Sequence, residues 1–298
     1  MSKFLIKLFL IFLVFSFSGT LKSETKHIIL TASKGAGSFS FAKELSRLLF
    51  ASDKNRKSIL VISNEDSSEN RLSQLSSKRV SLAIIDAKTA YDKLKNHSHL
   101  RVLSVLWRNW LHILGTTPGK FLSLENTQTL LVHENSIHFA KVWRSLSPKS
   151  EISWFNSRII PDLTDGFSQE VLALTGPFPI YQINNWLEQF PGIRLLTMND
   201  KIIKSLKLNN LWLREEILNA NSFSYQTEGI KSLTSRPVLV TNMDFPEEIA
   251  YLILKTIFSQ RTKINPHILF KKLKIEDNTD FKEIYSYHSA TKKLLDKK

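Results

Sequence analysis

The chain has 298 residues, a formal net charge of +14 and no cysteine. The absence of cysteine excludes disulfides, thiolate metal sites, a cysteine nucleophile and a lipid-modified cysteine. Lysine and arginine are spread along the chain rather than clustered among exposed aromatic residues, which argues against a nucleic-acid partner and favours a small anionic ligand or an acidic surface.

The first 23 residues have the features of a secretory signal peptide. Lys3 and Lys7 precede an apolar run over residues 8–17, and Ser23 offers a small residue for cleavage. The run is shorter than the roughly 20 residues that span a bilayer, so we expect cleavage and a periplasmic mature chain. An uncleaved membrane anchor is the alternative.

Strand and helix patterns alternate at the start of the mature chain. Strands are predicted over 27–31, 58–63 and 80–85, and a glycine-containing turn over 33–38 separates the first strand from a helix. The apolar face of this helix consists of Phe41, Leu45, Leu48 and Leu49. Such alternation predicts a mainly parallel sheet flanked by helices, with ligands bound at the carboxyl ends of the strands.

A second lobe of the same class is predicted after a break at 107–110. Its predicted strands span 129–133, 151–155, 170–175 and 193–196, and its predicted helices span 137–146 and 180–188. Residues 199–219 are predicted to be helical, and the polar segment 221–235 is predicted to return to the first lobe. A strand over 236–241, a helix opened by Pro246 and a C-terminal helix complete the pattern.

These patterns predict an α/β protein with two lobes and a ligand cleft between them. We assign 24–108 and 222–298 to lobe 1 and 109–221 to lobe 2.

The turn after the first strand carries the strongest local signal for binding. Gly35 and Gly37 let backbone N–H groups approach an anion at the positive end of the following helix, and a carboxylate would suit that position. The turn has neither the third glycine of a dinucleotide fingerprint nor the Gly-Lys-Ser/Thr of a P-loop. Relief of backbone strain by glycine is the structural alternative.

Two further strand-to-helix junctions offer polar groups. Ser68 and Asn70 stand at the start of the second predicted helix, and Asn135 and Ser136 stand at the equivalent junction of the second lobe. Helix capping would explain these residues equally well. Asp86 ends a strand without an evident base, and the histidines have no metal-ligand spacing, so we expect no catalytic residue, metal or cofactor.

The order of motifs resembles the TAXI family of solute receptors, the extracytoplasmic binding subunits of TRAP transporters. The matching segments, in chain order, are 31–39, 67–72, 84–86, 175–179, 223–226, 244–248 and 287–290. The resemblance implies the two-lobed fold of a periplasmic binding protein (type II-like). It also implies a non-enzymatic receptor that binds a small carboxylate, glutamate-like or a dicarboxylate, and delivers it to a membrane permease. The ligand-binding residues expected from the turn, the junctions and this resemblance are Ser33, Lys34, Gly35, Gly37, Ser38, Phe39, Ser68, Asn70, Asn135, Ser136, Pro179 and Tyr225.

The chain departs from the family pattern where the ligand would lie. Lys34 and Ser38 are added to the glycine loop, Phe39 replaces a tyrosine, and Glu134 would repel a carboxylate unless Lys34 faces it. A non-transport envelope protein that uses the fold as a ligand sensor or partner-binding module is therefore the alternative hypothesis. An enzyme ranks third.

Overall fold

The structure is a computed structural model. It describes residues 25–34, 36–52, 58–65, 67–116, 129–133, 140, 143–144, 147, 149–155, 170–177, 180–190, 192–208, 210–259 and 273–297. The predicted signal peptide and most of the predicted helix 137–146 lie outside these residues. No helix among the described residues has the length and apolar character needed to cross a membrane.

Five strands form the first sheet, in the order β2-β1-β3-β12-β4. They are β1 (Thr25–Thr31), β2 (Ser58–Asn64), β3 (Leu82–Ile85), β4 (Leu100–Val105) and β12 (Val238–Asn242). β12 is antiparallel to β3 and to β4, so β1 to β4 all run in one direction.

Helices cover both faces of the first sheet. They are α1 (Gly37–Ser52), α2 (Ser68–Ser76), α3 (Ala87–Lys93), α6 (Glu247–Ser259) and α7 (Ser289–Asp296). Alternate residues of β3 point to opposite faces: Leu82 and Ile84 pack with α1 and α6, whereas Ala83 and Ile85 pack with α2 and α3. The alternation of strands and helices thus buries an apolar layer on each side of the sheet.

Seven strands form the second sheet, in the order β10-β11-β5-β8-β6-β7 with β9 paired to β5. They are β5 (Asn109–Gly115), β6 (Thr129–His133), β7 (Glu151–Phe155), β8 (Glu170–Pro177), β9 (Arg194–Leu195), β10 (Arg214–Leu218) and β11 (Ile230–Ser235). The helices α4 (Tyr181–Gln189) and α5 (Asp200–Leu208) belong to this lobe. The two lobes, each a sheet with flanking helices, confirm the predicted α/β fold class.

The chain passes between the sheets twice, and both crossings lie at the same end of the first sheet. β4 leads into β5 through residues 106–108, and β11 leads into β12 through Arg236 and Pro237. The parallel strands β6 and β8 also end near the crossings, because Pro177 at the end of β8 pairs with Asn109 at the start of β5. The carboxyl ends of parallel strands from both sheets therefore lie at the crossings, where a cleft between the lobes would open.

The sheets are mainly parallel, as predicted, but β12 in the first sheet and β5 and β10 in the second run in the opposite direction to the other strands. Two details differ from the sequence-based expectation. Residues 214–218 form a strand, not a helix, since pairing with β11 outweighs the helix preference of their glutamates. β11 lies in the second sheet, so the return to the first lobe occurs at Arg236 rather than at residue 222.

Candidate functional site

The turn between β1 and α1 lies at the carboxyl end of β1. Ser33 and Lys34 are exposed, and the Ala36 amide donates a hydrogen bond of 2.9 Å to the Ser33 carbonyl. The Ser38 hydroxyl is buried and accepts a bond of 3.2 Å from the Ala32 amide, so it closes the turn. Ser33, Lys34, Gly37, Ser38 and the half-buried Phe39 thus lie together in this turn and the first residues of α1.

The first turn of α1 contains no acidic side chain. The amino-terminal end of a helix carries a partial positive charge, and here that charge is not offset by a nearby carboxylate on the same helix. Lys34 adds a full positive charge on the adjoining turn. The rim of the first lobe is therefore suited to an anion at this point.

At the neighbouring start of α2, the side chain of Glu65 fills the equivalent position. Its carboxylate accepts bonds of 3.3 Å from the side-chain amide of Asn70, 3.4 Å from the backbone amide of Ser67 and 3.3 Å from the side-chain amide of Gln74. The Glu65 amide also donates a 2.8 Å bond to the Thr31 carbonyl, which joins the ends of β1 and β2. Asn70, a predicted ligand contact, is thus engaged by a carboxylate of the protein itself.

Ser68 is engaged in a similar way by Arg71. The buried guanidinium of Arg71 donates to the Ile84 carbonyl at 2.8 Å, to the Glu65 carbonyl and to the Ser68 hydroxyl, which in turn accepts a 3.2 Å bond from the Asp86 amide. Arg71 therefore ties together the ends of β2 and β3 and the start of α2. The sequence pattern does not predict this role, since Arg71 lies within a helix motif that gives no sign of its burial.

Asp86 and the tryptophans at the first crossing also have structural contacts. The Asp86 carboxylate accepts a 2.9 Å bond from the Thr89 amide and so caps α3. Trp107 is buried with its ring centroid 5.2 Å from that of Phe41, and its indole N–H donates to Asn109 at 2.9 Å. Within the described part of the chain, His, Asp and Glu side chains form no group of three that could hold a metal ion.

Of the remaining predicted site residues, only Tyr225 is among those that the structure describes, and it does not lie at this rim. Gly35, Asn135, Ser136 and Pro179 lie outside the described residues. Tyr225 lies in the loop that joins β10 to β11 at the end of the ladder where Leu218 pairs with Ile230. The crossing lies beyond the other end of β11, roughly 16 Å away at strand spacing, so Tyr225 does not face the cleft.

A charged cluster at the crossings was not anticipated from the sequence. Arg236, whose side chain is 2% exposed, lies 2.9 Å from Asp277 and 3.9 Å from Glu216. Arg108 pairs with the same two carboxylates. The four members of the cluster are two arginines, one from each crossing, and two carboxylates, one from β10 and one from the C-terminal part of lobe 1. Ion pairs between them connect the two lobes. Only the fold brings these distant residues together.

Comparisons with known proteins give remote similarities. A search of curated proteins found no match. A TctC solute binding protein from Polaromonas superposes with a TM-score of 0.49 at 8% identity, covering 89% of this chain and 91% of that chain. XAC2383 from Xanthomonas citri, bound to chloride ion, has a TM-score of 0.49 at 9% identity, covering 92% of this chain and 99% of that chain.

An amino acid ABC transporter substrate-binding protein, AbpA from Streptococcus pneumoniae, bound to L-arginine, has a TM-score of 0.42 at 12% identity, covering 89% of this chain and 94% of that chain. The comparison with family models matches only part of the chain. Residues 159–296, a little under half of the chain, match the model of the NMT1-like family.

Proposed function

We propose that this protein is an extracytoplasmic solute-binding protein of a TRAP-type transporter. It captures a small carboxylate, glutamate-like or a dicarboxylate, between its two lobes and delivers it to a membrane permease. The protein carries out no chemistry on the ligand and uses no cofactor. Export through the N-terminal segment would place it in the periplasm.

The turn from Ser33 to Phe39 is the observation that carries this proposal. It lies where the parallel strands of lobe 1 end, beside the crossings, and it combines the exposed Lys34 with the amino-terminal end of a 16-residue helix that has no acid in its first turn. A carboxylate bound there would meet a full positive charge and a helix dipole of favourable sign.

A second candidate function is a sensor or partner-binding module without a transporter. It is favoured by the contacts at α2, where Glu65 already engages Asn70 and where Arg71 engages Ser68. Two of the predicted ligand contacts are therefore satisfied within the protein. A ligand at this rim would depend mainly on the α1 turn.

Thermal unfolding of the purified chain with amino acids, dicarboxylates and keto acids tests the proposal. A ligand at 100 times its dissociation constant stabilises the folded state by about 2.7 kcal/mol, which gives a clear shift in Tm. We expect one class of carboxylate to raise Tm and Lys34→Ala to remove the shift. Lys43→Ala, at an exposed lysine on α1, is the matched control.

Absence of a shift with every carboxylate would contradict the receptor proposal and favour the second candidate. Equal loss of the shift in Lys34→Ala and Lys43→Ala would contradict the assigned site, because it would indicate a general effect of surface charge.

A further inference from the structure

A pocket of about 730 Å³ lies in the second lobe, at the end of its sheet that is remote from the crossings. One wall contains β9, which pairs with the last residues of β5. A second wall contains residues 224–229 of the loop between β10 and β11 and the first residues of β11. The volume falls within the range of small-molecule sites, which is roughly 300–1,000 Å³.

Hydrogen bonds hold the two walls of this pocket in place. The Met198 amide donates to the Lys231 carbonyl at 2.9 Å, and the Lys231 amide donates to the Thr197 hydroxyl at 2.7 Å. In the loop, the buried amide side chain of Gln226 accepts from two backbone amides and donates to the carbonyls of Asn219 at 2.9 Å and Glu228 at 2.6 Å. The walls are thus set before any ligand enters, which lowers the entropic cost of binding.

Tyr225 is held in this loop in an unusual conformation. Its φ is 61°, in the left-handed region that a bulky residue rarely adopts, and the residue is 80% exposed where it lines the pocket. Ile217 lines the same pocket and is 61% exposed. The aromatic ring of Tyr225 and the aliphatic side chain of Ile217 are therefore exposed to solvent on a surface that hydrogen bonds hold in place.

A cation lies beside these apolar groups. Arg194 is exposed and lines the pocket, and it forms no ion pair with any described residue. The other pocket cation, Lys231, is paired with Asp200 at 2.6 Å. Among the described residues, Arg194 is therefore the pocket cation without an ion-pair partner, and its guanidinium can make a bidentate contact with a carboxylate.

We propose that this pocket is a second binding site, which takes a small amphipathic carboxylate. The carboxylate pairs with Arg194, and the apolar body of the ligand packs against Tyr225 and Ile217. The site is separate from the cleft, and it does not depend on the function proposed for the cleft.

Calorimetric titration of the purified chain with phenylacetate and hexanoate tests this site, with neutral phenylacetamide as the charge control. We expect both acids to bind at millimolar or lower concentration and phenylacetamide to bind at least tenfold more weakly. Arg194→Gln should weaken both acids about tenfold. Arg79→Gln, at an exposed arginine of lobe 1, should leave binding unchanged.

The variant Tyr225→Asn distinguishes a loss of ligand binding from a loss of folding. Asparagine adopts a positive φ more readily than tyrosine, so this variant removes the ring without straining the loop. It should bind phenylacetate about tenfold more weakly than the parent and unfold at a similar or higher temperature.

Lys34→Ala should retain phenylacetate binding, because Lys34 lies in the other lobe. Failure of both acids to bind at millimolar concentration would overturn the proposal, as would equal binding of acid and amide. Unchanged binding in both Arg194→Gln and Tyr225→Asn would also overturn it. Loss of phenylacetate binding in Lys34→Ala would assign the acid to the cleft instead.

Discussion

The guanidinium of Arg236 lies 2.9 Å from the carboxylate of Asp277, and this pair connects the second crossing to the C-terminal part of lobe 1. Asp277 also accepts a 3.0 Å bond from the Lys274 amide, which fixes the start of the 3-10 helix Ile275–Phe281. Glu216 approaches the same arginine from the second lobe at 3.9 Å. Carboxylates from both lobes thus approach one buried arginine side chain.

We expect Asp277→Asn to lower the free energy of unfolding by about 3 kcal/mol, because it leaves the buried charge of Arg236 with only one close carboxylate. Urea denaturation measures the change. Asp296→Asn, at an exposed carboxylate of α7, should change stability by less than about 0.5 kcal/mol. Equal stability of the two variants would show that the pair contributes little.

Arg71→Met should lower the free energy of unfolding by about 3 kcal/mol, because the carbonyls of Ile84 and Glu65 lose a charged donor at the ends of two strands. Methionine retains much of the aliphatic packing of arginine. Chemical denaturation of Arg71→Met and of the exposed control Arg79→Met gives the comparison. A loss of similar size in both variants would contradict a specific role for Arg71.

Glu65→Gln should raise the affinity of the cleft for a carboxylate about two- to fivefold, because it removes a negative charge from the rim where the ligand is proposed to bind. Titration of the carboxylate found in the thermal screen measures this change. Glu248→Gln, at an exposed acid on α6, is the control. Weaker binding in Glu65→Gln would indicate that Glu65 contacts the ligand favourably.

His112 should make stability depend on pH. It is buried against Phe223, with ring centroids 5.3 Å apart, and burial lowers its pKa to about 3. In the unfolded chain His112 binds a proton near pH 6.5. The contribution of neutral, buried His112 to the free energy of unfolding is therefore fully present above that pH and is lost as pH falls toward 3. We expect a loss of about 2 kcal/mol at pH 5 relative to neutral pH.

Urea midpoints of the parent and of His112→Phe at several pH values measure this contribution. The pKa values of His27 and His288 are also lowered by burial, so the relevant quantity is the difference between the two proteins. Phenylalanine cannot titrate, so the variant should lose less stability on acidification. The same acid dependence in both proteins would show that His112 does not contribute.

Local patterns correctly indicated the first half of lobe 1. Phe41 and Leu45 are fully buried on α1, as their helical spacing predicts, and β1 to β3 have the expected parallel order. The same reasoning failed for β10 and β11. Their strand conformation comes from pairing with each other and with β5, which a local window does not contain.

The sequence by itself determined the α/β class and the turn at Lys34, because each depends on neighbours within one element or one turn. Only the tertiary structure decided how the candidate site is arranged. In the folded chain the Glu65 carboxylate is hydrogen-bonded to Asn70, and Arg236 pairs with Asp277. Tyr225 lies at the end of lobe 2 that is remote from the crossings. These outcomes depend on strand order and on the route of the chain between lobes, and residue spacing along the sequence carries little information about either.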